Sequence, residues 1–108
     1  MSEVVIATYR PHEGQAAQLD ELVRAHWPLL HAEGLVTERR PLVLRAKDGT
    51  ILDIFEWKAG GAEQAHHNER VMALWNRMME VAEMTTLGSL AEAGRPFPHF
   101  VPADELTA

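Results

Sequence analysis

The stretch HHNERVMALWNRMMEVAEM, residues 66–84, has the clearest helical pattern in the chain. At about 100° per residue its apolar side chains fall on one broad arc and its charged side chains on the other side. His67 and Asn68 interrupt this sorting, because His67 projects onto the apolar arc and Asn68 lies at its edge in line with Trp75. The pattern predicts one amphipathic helix, from about residue 62 to 83, whose apolar side covers a cavity.

A strand and a helix are predicted upstream. Val4 to Tyr9 is a β-branched and aromatic run that is largely apolar on both faces, which predicts a strand covered on both sides. Glu13 to about His31 has a helical pattern ended by Gly34. His26 lies within the apolar side of this helix, and it is the most central of the six histidines on any apolar face.

The middle of the chain predicts a β-hairpin. Leu35 to Ala46 and Thr50 to Lys58 have strand patterns, and Asp48-Gly49 favours a type I′ turn between them, with positive φ at both central residues. Pro41 cannot donate to a ladder, so it predicts an edge, a bulge or a late start of the first strand. Asp53 stands among apolar neighbours, either as a cavity acid or as an edge residue facing water.

A fourth strand is predicted between Met84 and Leu90, and from about residue 92 the tail should be extended and held against the body by Phe97 and Phe100. The order is βαββαβ, an α+β, ferredoxin-like arrangement in which two helices cover one face of a four-stranded antiparallel sheet. Residues 1–108 are predicted to form a single domain. Because the strands are apolar on both faces, the open sheet face is expected to be buried in a homodimer.

Composition narrows the possible partners. Ten Lys and Arg against sixteen Asp and Glu give a net charge of −6, which repels phosphate backbones and anionic membranes, so neither nucleic acid nor a membrane is expected as a partner. Cysteine is absent, which removes disulfides and thiolate chemistry. No signal peptide and no run of about 20 apolar residues is found, so a cytoplasmic location is predicted.

The histidines supply the candidates for chemistry. His26 is the leading catalytic candidate, because an imidazole facing an apolar cavity can accept a proton from a phenol or enol. Its alternative role is a core histidine bonded to a backbone carbonyl or to a partner such as Asp53. His67 and Asn68 are substrate-binding candidates, with helix capping or a solvent-facing position as the alternative. Adjacent helical residues point about 100° apart, which sends His66 outward, and no metal site is predicted.

The chain resembles the dimeric α/β barrel superfamily over residues 3 to about 101. The resemblance rests on VVIATYRP as the first strand, the Asp48-Gly49 hairpin, and the passage VMALWNRMMEVAEMTTLGSL with its PFPHF tail. This superfamily includes antibiotic biosynthesis monooxygenase-like proteins and haem-degrading monooxygenases. The resemblance implies that two sheets meet face to face across a dimer and that each protomer keeps a ligand cavity between its helices and its sheet.

Haem is not expected as a cofactor. Haem-degrading members have an Asn near the end of the first strand, followed by a Trp and a later His around the second helix. Here the first strand ends Thr8-Tyr9-Arg10, and no histidine follows Trp75 until His99. Quinone-forming members instead use polar and aromatic side chains to hold a phenolic substrate that itself activates oxygen, without metal or flavin.

The resemblance therefore favours a cofactor-independent monooxygenase, or a related enzyme, acting on an aromatic or polyketide-like molecule. His26 would accept the proton. Tyr9, Asn68 and Trp75 are the candidates for orienting the ring, while Asp53 and His67 are further candidates for lining the same cavity. The alternative is a non-catalytic homodimer whose cavity binds a small hydrophobic ligand or is filled by side chains.

Overall fold

A five-stranded antiparallel sheet and three α-helices form the part of the chain, residues 1–107, that the computed structural model describes. The strands are β1 (Glu3–Pro11), β2 (Leu42–Arg45), β3 (Ile51–Trp57), β4 (Ala82–Thr85) and β5 (Val101–Pro102). The helices are α1 (Ala16–Ala32), α2 (Gly61–Ala65) and α3 (Glu69–Val81). The sheet order β4-β1-β3-β2-β5 is compatible with the predicted ferredoxin-like arrangement, but the sheet has five strands where four were predicted.

The additional strand comes from the C-terminal tail. In β5, Val101 and Pro102 pair with Arg45 and Leu44 at the outer edge of β2. A proline fits there because an edge strand leaves one side of its backbone without a ladder partner. The tail is not uniformly extended, since short 3₁₀ turns occupy Leu87–Ser89, Ala91–Gly94 and Asp104–Leu106.

Strand β4 begins earlier than predicted. Ala82 leaves the helix directly into an extended conformation, with φ −152° and ψ 156°, and no loop separates it from α3. Pairing with β1 then runs from Ala82 opposite Pro11 to Thr85 opposite Thr8. The prediction of a strand from Met84 to Leu90 is therefore wrong over most of its length.

The hairpin forms between β2 and β3, but its turn differs from the predicted one. Strand β2 begins directly after Pro41, which confirms the late start. The Ala46 N–H donates to the Thr50 carbonyl (2.8 Å) and the Gly49 N–H to the Ala46 carbonyl (3.0 Å), so the loop holds three residues. Gly49 has φ 91° while Asp48 keeps a negative φ and accepts the Thr50 N–H on its carboxylate. This is a type I turn closed by a left-handed glycine.

The long helix predicted around residues 66–84 is broken in two. Asn68 is the N-cap of α3, and its Oδ1 accepts the N–H groups of Arg70 (3.0 Å) and Val71 (3.1 Å). Its Nδ2 donates to Glu33 Oε1 (2.8 Å), which fixes the start of α3 to the end of α1. A short amide side chain prefers this capping role to a place inside a helix. The prediction of one continuous helix is therefore wrong.

Helix α2 is held close to the chain that follows α1. A Cβ at Gly61 would collide with the carbonyl oxygen of Leu35 and would also lie 3.3 Å from the Trp57 ring. Only a glycine permits this approach without moving the backbone. The α2 backbone is consequently anchored at its first residue.

The two sheet faces have different surroundings. Side chains of α1 and α3 pack with those of β1, β2 and β3 in the principal core. On the opposite face Leu90 and Phe100 cover Leu52, whereas Val4 and Ile6 are 58% and 45% exposed. Phe97 is 81% exposed, so the prediction that it holds the tail is wrong, and Phe100 makes that contact.

No helix within residues 1–107 combines the length and the apolar character that a membrane crossing requires.

Candidate functional site

A cavity of about 340 Å³ lies between the helices and the sheet. Its wall is mostly apolar, and much of it consists of aromatic rings and thioethers. The principal members of this wall are Phe55, Trp57, Met72, Met78, Met79 and Met84. Small-molecule sites have volumes of about 300–1,000 Å³ and similar linings. The cavity has room for a compact ring system.

A buried hydrogen-bond network stands at the polar part of this wall. His26 on α1 is 2% exposed, and its Nδ1 lies 2.9 Å from Asp53 Oδ2. The indole N–H of Trp75 donates to His26 Nε2 at 2.9 Å. Because an indole can only donate, Nε2 must be the accepting nitrogen, so a neutral His26 carries its proton on Nδ1 and donates it to Asp53.

Tyr9 completes the network from β1. Its hydroxyl donates to Asp53 Oδ2 at 3.0 Å. This hydroxyl and His26 Nδ1 lie 3.5 Å apart because both donate to the same oxygen of Asp53. At that distance they do not form a hydrogen bond with each other. Burial raises the pKa of the Tyr9 phenol well above its ordinary value, and the charge and hydrogen bond of Asp53 raise it further. Tyr9 therefore remains a neutral donor.

Strand pairing places these groups together. Asp53 is in β3, the middle strand of the sheet, directly opposite Ala7 on β1 and Val43 on β2. Tyr9 projects to the same face two residues beyond Ala7, because side chains alternate along a strand. Asp53 is buried, so it is not the water-facing edge residue that the sequence left as an alternative. It reaches the cavity through Tyr9 and His26.

The predicted site residues separate into two groups. Tyr9, His26 and Trp75 line the cavity, and Asp53 bonds to the first two of them. His67 is exposed, and Asn68 caps α3, so neither lines the cavity. Their expected inward orientation is wrong because it assumed a helix without a break.

His66 is the cavity residue that the sequence pattern missed. It was predicted to point outward, yet it lines the cavity and contacts Trp75 edge-on, with ring centroids 5.0 Å apart. Its Nδ1 lies 2.7 Å from the carbonyl oxygen of Ala62. The break after α2 rotates His66 relative to α3, and only a recognition of Asn68 as a cap could have predicted this.

The described residues contain no group of three or more His, Cys, Asp or Glu side chains arranged to hold a metal ion. Neither His66 nor His67 belongs to such a group within the described residues. The chemistry available on the cavity wall is that of imidazole, phenol and indole, with one buried carboxylate, that of Asp53, bonded behind them.

Tyr9 offers a direct test of the buried network, because it is the only tyrosine in the chain. An ordinary tyrosine is half ionised near pH 10, and we expect the ultraviolet absorbance of tyrosinate to appear only at higher pH in the folded protein. Because folding raises this pKa, Tyr9 contributes stability that is fully present below the unfolded pKa and is lost as pH rises through the folded pKa. In urea, where the protein is unfolded, the midpoint of the tyrosinate absorbance change should lie at about pH 10.

The Tyr9→Phe variant is the control for this titration, because it should show no tyrosinate absorbance and a weaker loss of stability in alkali. A midpoint near pH 10 in the folded wild type would contradict the buried hydrogen bond to Asp53.

Comparison with known proteins assigns no family to this geometry. The chain matches no protein-family model, no curated protein and no solved structure. Membership of the dimeric α/β barrel superfamily stays a prediction.

Proposed function

We propose that the protein binds a compact aromatic or polyketide-like molecule in its main cavity and acts on it as a cofactor-independent oxygenase or a related proton-abstracting enzyme. One observation carries this proposal: a buried His26, hydrogen-bonded to Asp53 behind it, stands in the wall of an apolar, aromatic-lined cavity. A histidine oriented by a carboxylate is a common general base. Phe55 and Trp57 line the cavity, and aromatic side chains pack favourably against a flat substrate.

The proposed chemistry begins with the removal of a proton from a phenol or enol by His26 Nε2. Asp53 holds the Nδ1 proton and would stabilise the imidazolium that forms. Trp75 donates to Nε2 in the structure, so its indole has to turn away before the substrate reaches that lone pair. Tyr9, with its raised pKa, stays protonated beside the developing charge.

Dioxygen is the co-reactant in this scheme, and the substrate supplies the electrons. Oxidation of an activated ring CH₂ to a carbonyl consumes one O₂. One oxygen atom replaces the two hydrogens, and the other leaves with them as water. The protein's contribution is to bind the ring, remove the proton and exclude bulk water from the reactive carbanion.

A non-catalytic ligand-binding protein is the second candidate. This candidate is favoured by the surroundings of His26. Both of its ring nitrogens are engaged in hydrogen bonds, and the side chain is almost fully buried. In that case the network would fix the shape of the cavity, and the ligand would leave unchanged.

Anthrone in air-saturated buffer distinguishes the two candidates. If the protein is an oxygenase, we expect it to accelerate the formation of anthraquinone over buffer, with one O₂ consumed per product. His26→Gln should lower this rate about 100-fold or more, because general-base catalysis contributes about 10²–10⁴-fold. The rate is read from anthraquinone absorbance and from an oxygen electrode.

His67→Gln is the matched control, since it makes the same substitution at an exposed neighbour outside the cavity, and it should leave the rate unchanged. Circular dichroism establishes that both variants fold. Quenching of tryptophan fluorescence by anthrone without acceleration over buffer would exclude this oxygenase reaction and favour the second candidate.

We also propose that the protein is a homodimer joined through the open sheet face. Val4, Ile6 and Leu42 expose apolar side chains on that face, and their exposed fractions are 58%, 45% and 48%. A second copy presents the same apolar surface by two-fold symmetry, so the patch is complementary to itself. Arg39 and Glu56 form an ion pair beside the patch and give its rim both signs of charge.

A further inference from the structure

We propose that His66 makes the polar contact with the ligand, accepting on Nε2 a hydrogen bond from a hydroxyl or N–H group at the edge of a flat ring. This inference rests on the proposed ligand site and names a recognition residue and a ligand class for it. The contact is distinct from the proton acceptance proposed for His26.

The tautomer of His66 follows from its hydrogen bond to the backbone. Its Nδ1 lies 2.7 Å from the carbonyl oxygen of Ala62, four residues earlier. A carbonyl oxygen can only accept, so Nδ1 must carry the proton. In a neutral imidazole the lone pair is then on Nε2, and no group among residues 1–107 is hydrogen-bonded to that atom.

The ring of His66 lies at the opening of the cavity, because this side chain is exposed to solvent and also lines the cavity wall. Its ring meets Trp75 edge-on at 5.0 Å and 66°. The bond from Nδ1 to the Ala62 carbonyl fixes the orientation of the ring, so Nε2 is presented in a defined position.

The hydrogen-bonding groups of Tyr9, His26 and Trp75 in the wall are already engaged with one another or with Asp53. Tyr9 donates to Asp53, Trp75 donates to His26, and His26 uses both ring nitrogens. Among the described cavity residues, His66 alone keeps a ring nitrogen that can accept from a ligand without breaking an existing bond. The rest of the wall is mostly apolar.

These features define the ligand class. A lone pair on Nε2 recognises a donor, so a phenol, an enol or an aromatic N–H is favoured. A simple hydrocarbon of the same shape would bind through the apolar wall alone. A carboxylate offers Nε2 no donor and would have to be desolvated against the apolar wall.

The test compares naphthol with methylnaphthalene, two probes of similar shape of which only the first is a donor. Binding to the whole protein is followed by tryptophan fluorescence in mildly alkaline buffer, where an ordinary imidazole is neutral. His66→Phe keeps an aromatic ring beside Trp75 and removes both nitrogens. We expect it to weaken naphthol binding about three- to tenfold, the worth of one hydrogen bond, and to change methylnaphthalene binding less than about twofold.

His67→Phe is the matched control, because it makes the same substitution at the adjacent exposed histidine, and it should change neither affinity. Should His66→Phe not fold, the ¹⁵N resonance of His66 Nε2 in the wild type gives the same answer, since it should shift with naphthol and not with methylnaphthalene.

Equal effects of His66→Phe on both probes, or an Nε2 resonance that ignores naphthol, would overturn the role of His66 and leave the cavity as a ligand site. Failure of both probes to bind the wild type would overturn the ligand site, and with it the proposed function.

Discussion

Asp53→Leu is expected to destabilise the fold by about 2–6 kcal/mol, because it leaves two buried donors without an acceptor and each such donor costs about 1–3 kcal/mol. The donors are the Tyr9 hydroxyl and the His26 Nδ1–H, which both bond to Asp53 Oδ2. Leucine has as many side-chain heavy atoms as aspartate and a somewhat larger volume, so the substitution leaves no cavity and the loss would reflect the missing hydrogen bonds. The measurement is urea unfolding followed by circular dichroism.

Two companion variants separate this network from ordinary packing. Asp53→Asn keeps one acceptor oxygen and should cost less than Asp53→Leu. Adding Tyr9→Phe to Asp53→Leu removes one of the abandoned donors, so the double variant should lose less than the sum of the single variants. A loss below about 0.5 kcal/mol for Asp53→Leu, the level of an ordinary surface substitution, would show that the network contributes nothing to stability.

Ile6→Arg is expected to dissociate the proposed dimer, raising its dissociation constant by about 100-fold or more. Ile6 pairs with Ile54 across β1 and β3, and it lies two residues from Val4 on the exposed apolar face. In a two-fold dimer the substitution would place two like charges in an apolar interface, where an unpaired charge costs several kcal/mol. Sedimentation velocity at micromolar concentration should show a dimer for the wild type and a monomer for Ile6→Arg.

Gln18→Arg is the control, since it adds the same charge at an exposed position on α1, away from the open sheet face. It should sediment as the wild type does. A wild-type monomer at micromolar concentration would refute the dimer, and the exposed side chains of Val4, Ile6 and Leu42 would then need another partner.

Local patterns were sufficient for much of the fold. Alternation in β1 and β3 predicted which side chains share a face with Tyr9 and with Asp53, but it left open whether Asp53 faces the cavity or water. The helical period of α1 placed His26 on the buried side. These patterns succeed because which face a residue occupies depends only on the geometry of its own element. The contact of His26 with Asp53, which the sequence offered as one possible partner, is confirmed by the 2.9 Å distance between His26 Nδ1 and Asp53 Oδ2.

Other features depend on competition between groups that a periodic pattern does not describe. The position of Asn68 is compatible with the helical period, so the pattern alone predicts a helical residue. In the structure its amide caps α3 instead, and His66, not His67, therefore lines the cavity. An Asn before Glu69 is itself a recognised helix start. No local sequence pattern predicts strand β5, because the pairing of Val101 with Arg45 depends on where the tail returns to the edge of β2.

The short segment that carries His66 is tied to the body at both ends. Gly61 is pressed against the Leu35 carbonyl, and Asn68 is bonded to Glu33, so both attachments reach the chain at the end of α1. Loss of conformational entropy is a principal cost of binding when a loop must close over a ligand. Here the rim of the cavity is already ordered, and an arriving ring would gain its contacts at little entropic cost to the protein.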